Sequence, residues 1–474
     1  VAIRRINAPT TIYGDANNDT FTVADTSLTI DQIQALLDVR GDAGTDTLNI
    51  NDSGDTSHNT GTLTGTTLTG MDMAAAGIAY QTFEDLNLDT GSGNENLTIT
   101  DTHVGTTDIT TANGSDTVTI DEILGVTSLD TGNQDDTVNV RQIHKATTIT
   151  TGADTDTVNV GNTSGQLDDI QARLNVHAAG PSIAGSGAGP VLPDTLNIND
   201  SGDTNANTGV ITSNTINGLD MAAAGIVYDG FEDMNVDLGS GGDHLTLASS
   251  HTGTTDITTA AGADRVFIQA IQANTTLDTG TENDIVTVTD TSNTLDQVQA
   301  HLFITGTAGT DTLNIQDTGD TSHNTGTLTR NTLNGFDMHA DGITYQAFED
   351  LNLDTGLAVD ELVITDTHTG TTDITTSTGN DIITINDILG VTTVRTGGGN
   401  DKFHVKRMNA ETSLYGDGGA DEILVSNADL VVDEIFAQVG YGKTPAEDFF
   451  DIAIPQDDAK KTAELKTSFF EKTV

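Results

Sequence analysis

The chain has 474 residues, with 71 acidic against 17 basic side chains and a formal charge of −54. So acidic a surface excludes nucleic acid as a partner, because phosphate binding needs a basic face, and it disfavours anionic membranes. The absence of cysteine excludes disulfides and thiolate metal sites, and no apolar run is long enough for membrane insertion.

Like charge at this density destabilises a compact body by self-repulsion. The acids are therefore expected either to be spread along an extended shape or to be neutralised by cations. Hard cations held by carboxylates would replace the missing disulfides of a secreted protein. Fifty glycines with abundant Thr, Asn and Asp predict many turns and short strands, and 4% aromatic residues leave little for a large aromatic core.

Residues 1–40 read as a partial N-terminal rung followed by a short helix. The stretch 1–18 (VAIRRINAPTTIYGDANN) aligns without gaps on 403–420 (FHVKRMNAETSLYGDGGA), so the chain is expected to open inside a rung. Two readings follow: a fragment of a longer array, or a subunit whose open edge is completed head to tail by another copy. In 26–39 (TSLTIDQIQALLDV), Thr-Ser and an acid suit a helix start, and Ile30, Ile33, Leu36 and Leu37 follow helical spacing. The pattern returns at 163–176 and 291–304, which predicts short helices interrupting the main architecture.

A long repeat begins at Asp46 (DTLNINDSGDTSHNTGTLTGTTLTGMDM) and returns from Asp194 and Asp311. It divides the body into super-repeats at 41–176, 177–304 and 305–425, the second opening on a Gly/Pro-rich loop at 177–193. Inside them lies a shorter unit, as in TGNQDDTVNV (131–140) and TGGGNDKFHV (396–405): a polar turn, an acid, then alternating apolar positions. Its acids fall at Asp116, Asp136 and Asp156, at Asp243, Asp264 and Asp284, and at Asp360, Asp381, Asp401 and Asp421, mostly 20 or 21 residues apart. That period is too short for a helical hairpin and fits one coil of a β-solenoid, with two strands and two turns per rung. Alternation in TVNV puts Val138 and Val140 on a buried face. The predicted fold is therefore all-β, a parallel β-solenoid of β-roll or β-helix type; an antiparallel sandwich array is the alternative. Between super-repeats the step widens, as from Asp311 to Asp360, giving room for about two enlarged rungs. The FED triplets at Phe83, Phe231 and Phe348 read as a Phe plug with Glu and Asp facing water. Residues 426–474 hold five of the 13 Phe and five lysines, which predicts a cap on the last rung or a partner-docking module.

The short unit resembles the hemolysin-type (RTX) nonapeptide GGxGxDxUx, with U apolar, used in arrays by large bacterial surface proteins. Gly397, Gly399, Asp401 and Phe403 match it, as do Gly416, Gly419, Asp421 and Ile423, and Gly239, Gly241, Asp243 and Leu245. The resemblance implies a parallel β-roll whose turns bind Ca²⁺. Its implied metal residues are Asp19, Asp116, Asp136, Asp156, Asp243, Asp264, Asp284, Asp381, Asp401 and Asp421, with Gly397, Gly399, Gly416 and Gly419. Stacked acids so close need a cation between them or raised pKa values. The chain departs from the family in having one matching turn per rung rather than two. Gln134 replaces a glycine and Glu95 an aspartate, so some rungs are expected to be empty. Turn-capping aspartates without an ion are the alternative. A second constellation (Asp52, Asp55, Asn59; Asp200, Asp203, Asn207; Asp317, Asp320, Asn324) suits either a cation or an Asx-bonded turn.

No unique catalytic constellation stands out, because the polar residues repeat with the super-repeats, and Trp platforms for sugars are absent. An enzyme is not expected. His103, His251 and His368 read as turn residues. The expected function is an extracellular or cell-surface, calcium-stabilised structural or adhesive protein: a stalk, matrix, filament or surface-layer component. Its expected partners are further copies, neighbouring repeats, or a surface glycan or protein. A glycan- or protein-binding module of a larger secreted protein is the alternative. Thr runs such as TTDITT also raise an ice-binding surface.

Overall fold

The computed structural model describes residues 1–179 and 193–425, with the backbone of Phe436–Ala437. Most of the predicted loop and the C-terminal cap therefore lie outside the described residues. The chain falls into two compact units, Val1–Ser240 with Thr252–Ile257, and Gly241–His251 with Thr258 onward.

In each unit short strands alternate between two parallel sheets, so the architecture is a parallel β-solenoid. In the first unit Thr117–Ile120, Thr137–Val140 and Thr157–Val160 stack in register on one sheet. Thr106–Thr110, Val126–Asp130 and Thr147–Gly152 stack on the other. In the second unit Ile382–Ile385, Lys402–Val405 and Glu422–Val425 form one stack and Thr371–Thr375, Thr392–Arg395 and Thr412–Tyr415 the other. The period-2 pattern decides which side chains turn inward: Val118, Val138 and Val158 are fully buried, and Ile383 and Phe403 occupy the same place in the second unit. β-Branched residues dominate because they pack well on a pleated surface.

Glycine is required where rungs touch at the turns. Gly132 sits at φ +96, and a Cβ there would lie 1.3 Å from the Ala112 carbonyl of the adjacent rung. No side chain fits without parting the two coils.

The three predicted helices are absent among the described residues. Residues 26–36 form turns, and Leu37–Arg40 is a strand. Left-handed backbone at Leu28 (φ 60), Gly165 (φ 69) and Asn293 (φ 60) breaks each segment near its start. The helix-like spacing arose because Ile30, Ile33 and Leu37 enter the core from two corners and a strand, and Ile33 bridges Ile6 of the preceding rung.

The widened step also differs from two enlarged rungs. Thr47–Asn51 pairs directly with Asp85–Asp89, so one sheet takes a single step. The other gains an antiparallel detour: Thr60–Leu63, Thr67–Gly70 and Ile78–Gln81 run up, down and up beside Leu37–Arg40. The reversal is set by consecutive left-handed residues, Gly70 (φ 85), Met71 (φ 50) and Asp72 (φ 54). The same detour recurs at Thr208–Asp229 and at Asn324–Gln346. Its closure is tight: a Cβ on Gly326 would meet the Phe336 ring at 2.1 Å.

Candidate metal centres

The stacked turns place the acids of the short unit in single file. Each buried acid accepts the backbone N–H of its counterpart one rung earlier. Asp116 N donates to Asp136 Oδ1 at 2.8 Å, Asp136 N to Asp156 Oδ1 at 2.9 Å, and Asp156 N to Asp194 Oδ1 at 2.7 Å. In the second unit one file runs Asp243, Asp264, Asp284, Asp311, and another Asp360, Asp381, Asp401, Asp421, with distances of 2.7–3.0 Å. Asp19 joins a short file with Asp46.

The glutamates of the FED triplets extend the files, contrary to the expectation that they face water alone. Glu84, Glu232 and Glu349 accept from Asp46, Asp194 and Asp311 at 2.7–2.9 Å. Their longer side chains reach across the enlarged rung. The phenylalanines beside them are buried as expected. Glu95 takes the place of an aspartate, its N–H donating to Asp116 Oδ1 at 2.6 Å.

The second carboxylate oxygen meets a buried threonine five residues earlier. Thr355 and Thr376 hydroxyls donate to Asp360 and Asp381 Oδ2 at 2.6 Å. Elsewhere the hydroxyl turns to the next rung's carbonyl, as from Thr131 to Thr151 O at 3.1 Å, and Asp136 Oδ2 is left without a donor. Burial therefore pushes Asp136 up to about 8, with the charges of Asp116 and Asp156 adding to it against the hydrogen bonds. Burial likewise carries Asp284 and Glu95 to about 7 and Asp156 and Asp381 to about 6.

The predicted glycines have a stacking role. Gly399 (φ +153) and Gly419 (φ +142) lie against the carbonyls of the rungs beneath, at 1.4 Å from a built Cβ, and Gly397 lies against Ser377 O. A Cβ at Gly416 would strike the Asp421 carboxylate. The turn carbonyls are engaged between rungs: Gly397 O accepts from Gly418 and Gly418 O from Gly399, both at 2.7 Å.

Carboxylates converge elsewhere. Among the described residues, ligand atoms of three acids come within 4.8 Å of one another at Asp31, Asp52 and Asp55, at Asp168, Asp203 and Asp220, and at Asp296, Asp320 and Asp337. These are equivalent places in the three super-repeats. The second and third join the turn misread as a helix, the GDT turn and the left-handed reversal of the detour; the first draws its acids from the first two segments, with the reversal packed alongside. Backbone bonds tie them together. Ile30 N donates to Asp52 Oδ1 at 2.9 Å, Gly54 N to Leu28 O at 2.9 Å, and Ala74 N to Ile33 O at 2.9 Å.

The second constellation of the sequence thus lies inside these cages. Asn59 Nδ2 donates to Asp55 Oδ2 at 2.9 Å, and Asn324 Nδ2 to Asp320 Oδ2 at 2.6 Å and Asp317 Oδ2 at 3.1 Å. Burial raises Asp52, Asp200 and Asp317 to about 7, partly offset by the N–H of Ile30, Leu167 and Leu295. Burial also acts on Asp55, Asp203 and Asp320, but hydrogen bonds from the Asn and the following turn hold them below the usual range. Asp31, Asp168 and Asp296, with Asp72, Asp220 and Asp337, were missed in the sequence. Their signal was present as an acid recurring at one place in the TID, LDD and LDQ segments and in GMDM, GLDM and GFDM.

His103 lies in its predicted turn, its Nδ1 bonded to the Thr107 hydroxyl at 3.1 Å, and His251 and His368 are buried in the matching turns.

Fold and site together define an acidic, parallel β-solenoid repeat protein with buried carboxylate files and recurrent aspartate cages. No protein-family model matches the chain, and no curated protein matches it. A solved structure described as a hyperactive, Ca²⁺-dependent, β-helical antifreeze protein from an Antarctic bacterium is similar at 14% identity, over 86% of this chain and 83% of that one, with a TM-score of 0.14. A superposition that weak carries no argument about this chain.

Proposed function

We propose that this is an extracellular, calcium-stabilised structural or adhesive repeat protein without catalytic activity, acting as a stalk, matrix, filament or surface-layer component. The observation that carries the reading is the recurrence of buried carboxylates, in files along successive rungs and in cages at the detours. Desolvated like charges at this spacing call for a counter-cation, and oxygen ligands in this number suit Ca²⁺. The repeated surface supports a spacer role, because each rung offers much the same groups as its neighbour. Its partners on this reading are further copies, neighbouring repeats of a longer chain, or a surface glycan or protein. Chelation is expected to lower the melting temperature at low ionic strength. An unchanged melt would remove calcium from the reading.

One surface supports a second reading, binding to ice. On the first unit, outward Thr117 and Thr119, Thr137 and Asn139, Thr157 and Asn159, and Thr195 and Asn197 stack in register. Asn159 donates to Asn139 at 2.9 Å and Asn197 to Asn159 at 2.8 Å, which links the amides into a row. The result is a lattice of hydroxyls and amides about 4.8 Å by about 7 Å. Inhibition of ice recrystallisation by the intact chain, lost in a Thr137→Lys, Thr157→Lys variant, is the expected result. No inhibition by the intact chain would discard this reading.

A further inference from the structure

We propose that each of the three aspartate cages binds one calcium ion, so that the described chain carries three specific sites at its antiparallel detours rather than one per rung. The inference rests on the calcium reading above and adds the place and number of the ions. It requires more than acidic residues in proximity, and the buried oxygens supply it. Asp52 is fully buried; its Oδ1 accepts the Ile30 N–H, and its Oδ2 has no donor. Asn59 and Asn324, each 1% exposed, touch the cage carboxylates through Nδ2 while Oδ1 has no partner. An unpaired buried oxygen is costly, so the orphaned Asp52 Oδ2 among the acids, with asparagine amides beside them that can turn Oδ1 inward, marks a place for a cation.

The donor set fits the ion. Calcium takes about 6–8 oxygens at about 2.3–2.6 Å from carboxylates and amide carbonyls, in a tolerant geometry. The first cage offers Asp31, Asp52 and Asp55, with Asp72 acting on Asp31 by charge and Asn59 alongside. Turning the Asn59 amide over exchanges Nδ2 for Oδ1, a choice set by the surrounding hydrogen-bond network. With a cation present, the oxygen-inward orientation becomes the favourable one and adds a neutral ligand. The ion then clamps stretches of chain that hydrogen bonds now hold together. It also neutralises carboxylates at the one place per super-repeat where the regular coil is interrupted.

The test counts ions. The full chain, stripped with chelator and dialysed, is titrated with Ca²⁺ by calorimetry, and with Tb³⁺ as a luminescent probe. Three sites per chain are expected. Asp31→Ala, Asp168→Ala and Asp296→Ala should each remove one site, and the triple variant all three. Should an alanine variant misfold, Asp220→Asn keeps the test open: Asp220 is an exposed acid of the second cage, and asparagine tolerates its left-handed backbone. That variant should weaken one site at least about tenfold, as expected for loss of a charged ligand. The file variant Asp136→Asn should leave three sites. A count near one per rung that falls with Asp136→Asn, or cage variants that keep all their sites, would overturn the cage assignment and leave the calcium reading standing. Absence of any calcium binding would remove both.

Discussion

In chelator, the free energy of unfolding is expected to fall steadily as pH rises from about 4 to about 8. The file acids are the cause. Burial lifts Asp136 from 3.8 to about 8, and Asp284 to about 7. A folded-state pKa above the unfolded one means that the native chain binds more protons throughout that window, so stability declines with pH. It is greatest below the unfolded value and is lost as pH climbs through the folded one. One fully buried group moved by this much is worth several kcal/mol, on the order of 1.4 kcal/mol per pH unit. The lowered Asp55, Asp203 and Asp320 act oppositely, losing their contribution as pH falls through the acid range. Urea unfolding at a series of pH values measures the slope. Asp136→Asn keeps an acceptor for the Asp116 N–H and removes the charge, so it should flatten the slope and match or exceed the parent at pH 8. Asp136→Ala deletes the acceptor and should cost about 1–3 kcal/mol at every pH. A stability that rises between pH 5 and 8 in chelator would contradict this account of the files.

Phe403→Ala is expected to cost about 3–5 kcal/mol, the usual range for a buried phenylalanine. Phe403 is fully buried between Ile383 and Ile423 of the adjacent rungs, so it is the largest side chain of its stack. The neighbours cannot close over the gap, because their positions are fixed by the ladder of the sheet. In a solenoid each rung contacts only its neighbours, so the damage should stay local. Hydrogen exchange should accelerate first over 382–425, while the first unit keeps its protection. Phe403→Leu should recover most of the loss. Uniform acceleration through both units would argue against nearest-neighbour stability.

Much of the fold was legible because it follows from period-2 burial. The TVNV strands, the inward Val138 and Val140 and the 20-residue coil all lie where alternation put them. Legibility ended where apolar residues enter the core from corners: Ile30, Ile33 and Leu37 imitate a helix because two turns and a strand happen to space them so. The antiparallel detours were hidden for a related reason. Thr60–Leu63 reads as one more parallel strand, and only the Thr64–Thr67 turn and the left-handed run at Gly70, Met71 and Asp72 reverse the chain. For the candidate site, spacing revealed the carboxylate files but not the cages. The files join like positions one period apart. The cages join acids at unequal separations (21 and 3 residues in the first, 35 and 17 in the second, 24 and 17 in the third), and only the folded chain brings them together.

The central claim is that cations hold the buried carboxylates of this solenoid. Its most direct test is calorimetric melting at pH 8 and low ionic strength, in chelator and then in excess calcium, with magnesium as the control. Stabilisation should reach about 2.7 kcal/mol per site at a hundredfold excess over the dissociation constant. The account predicts a melting temperature raised by several degrees or more in calcium, with a smaller effect of magnesium. Superimposable melts in chelator and in calcium would contradict it.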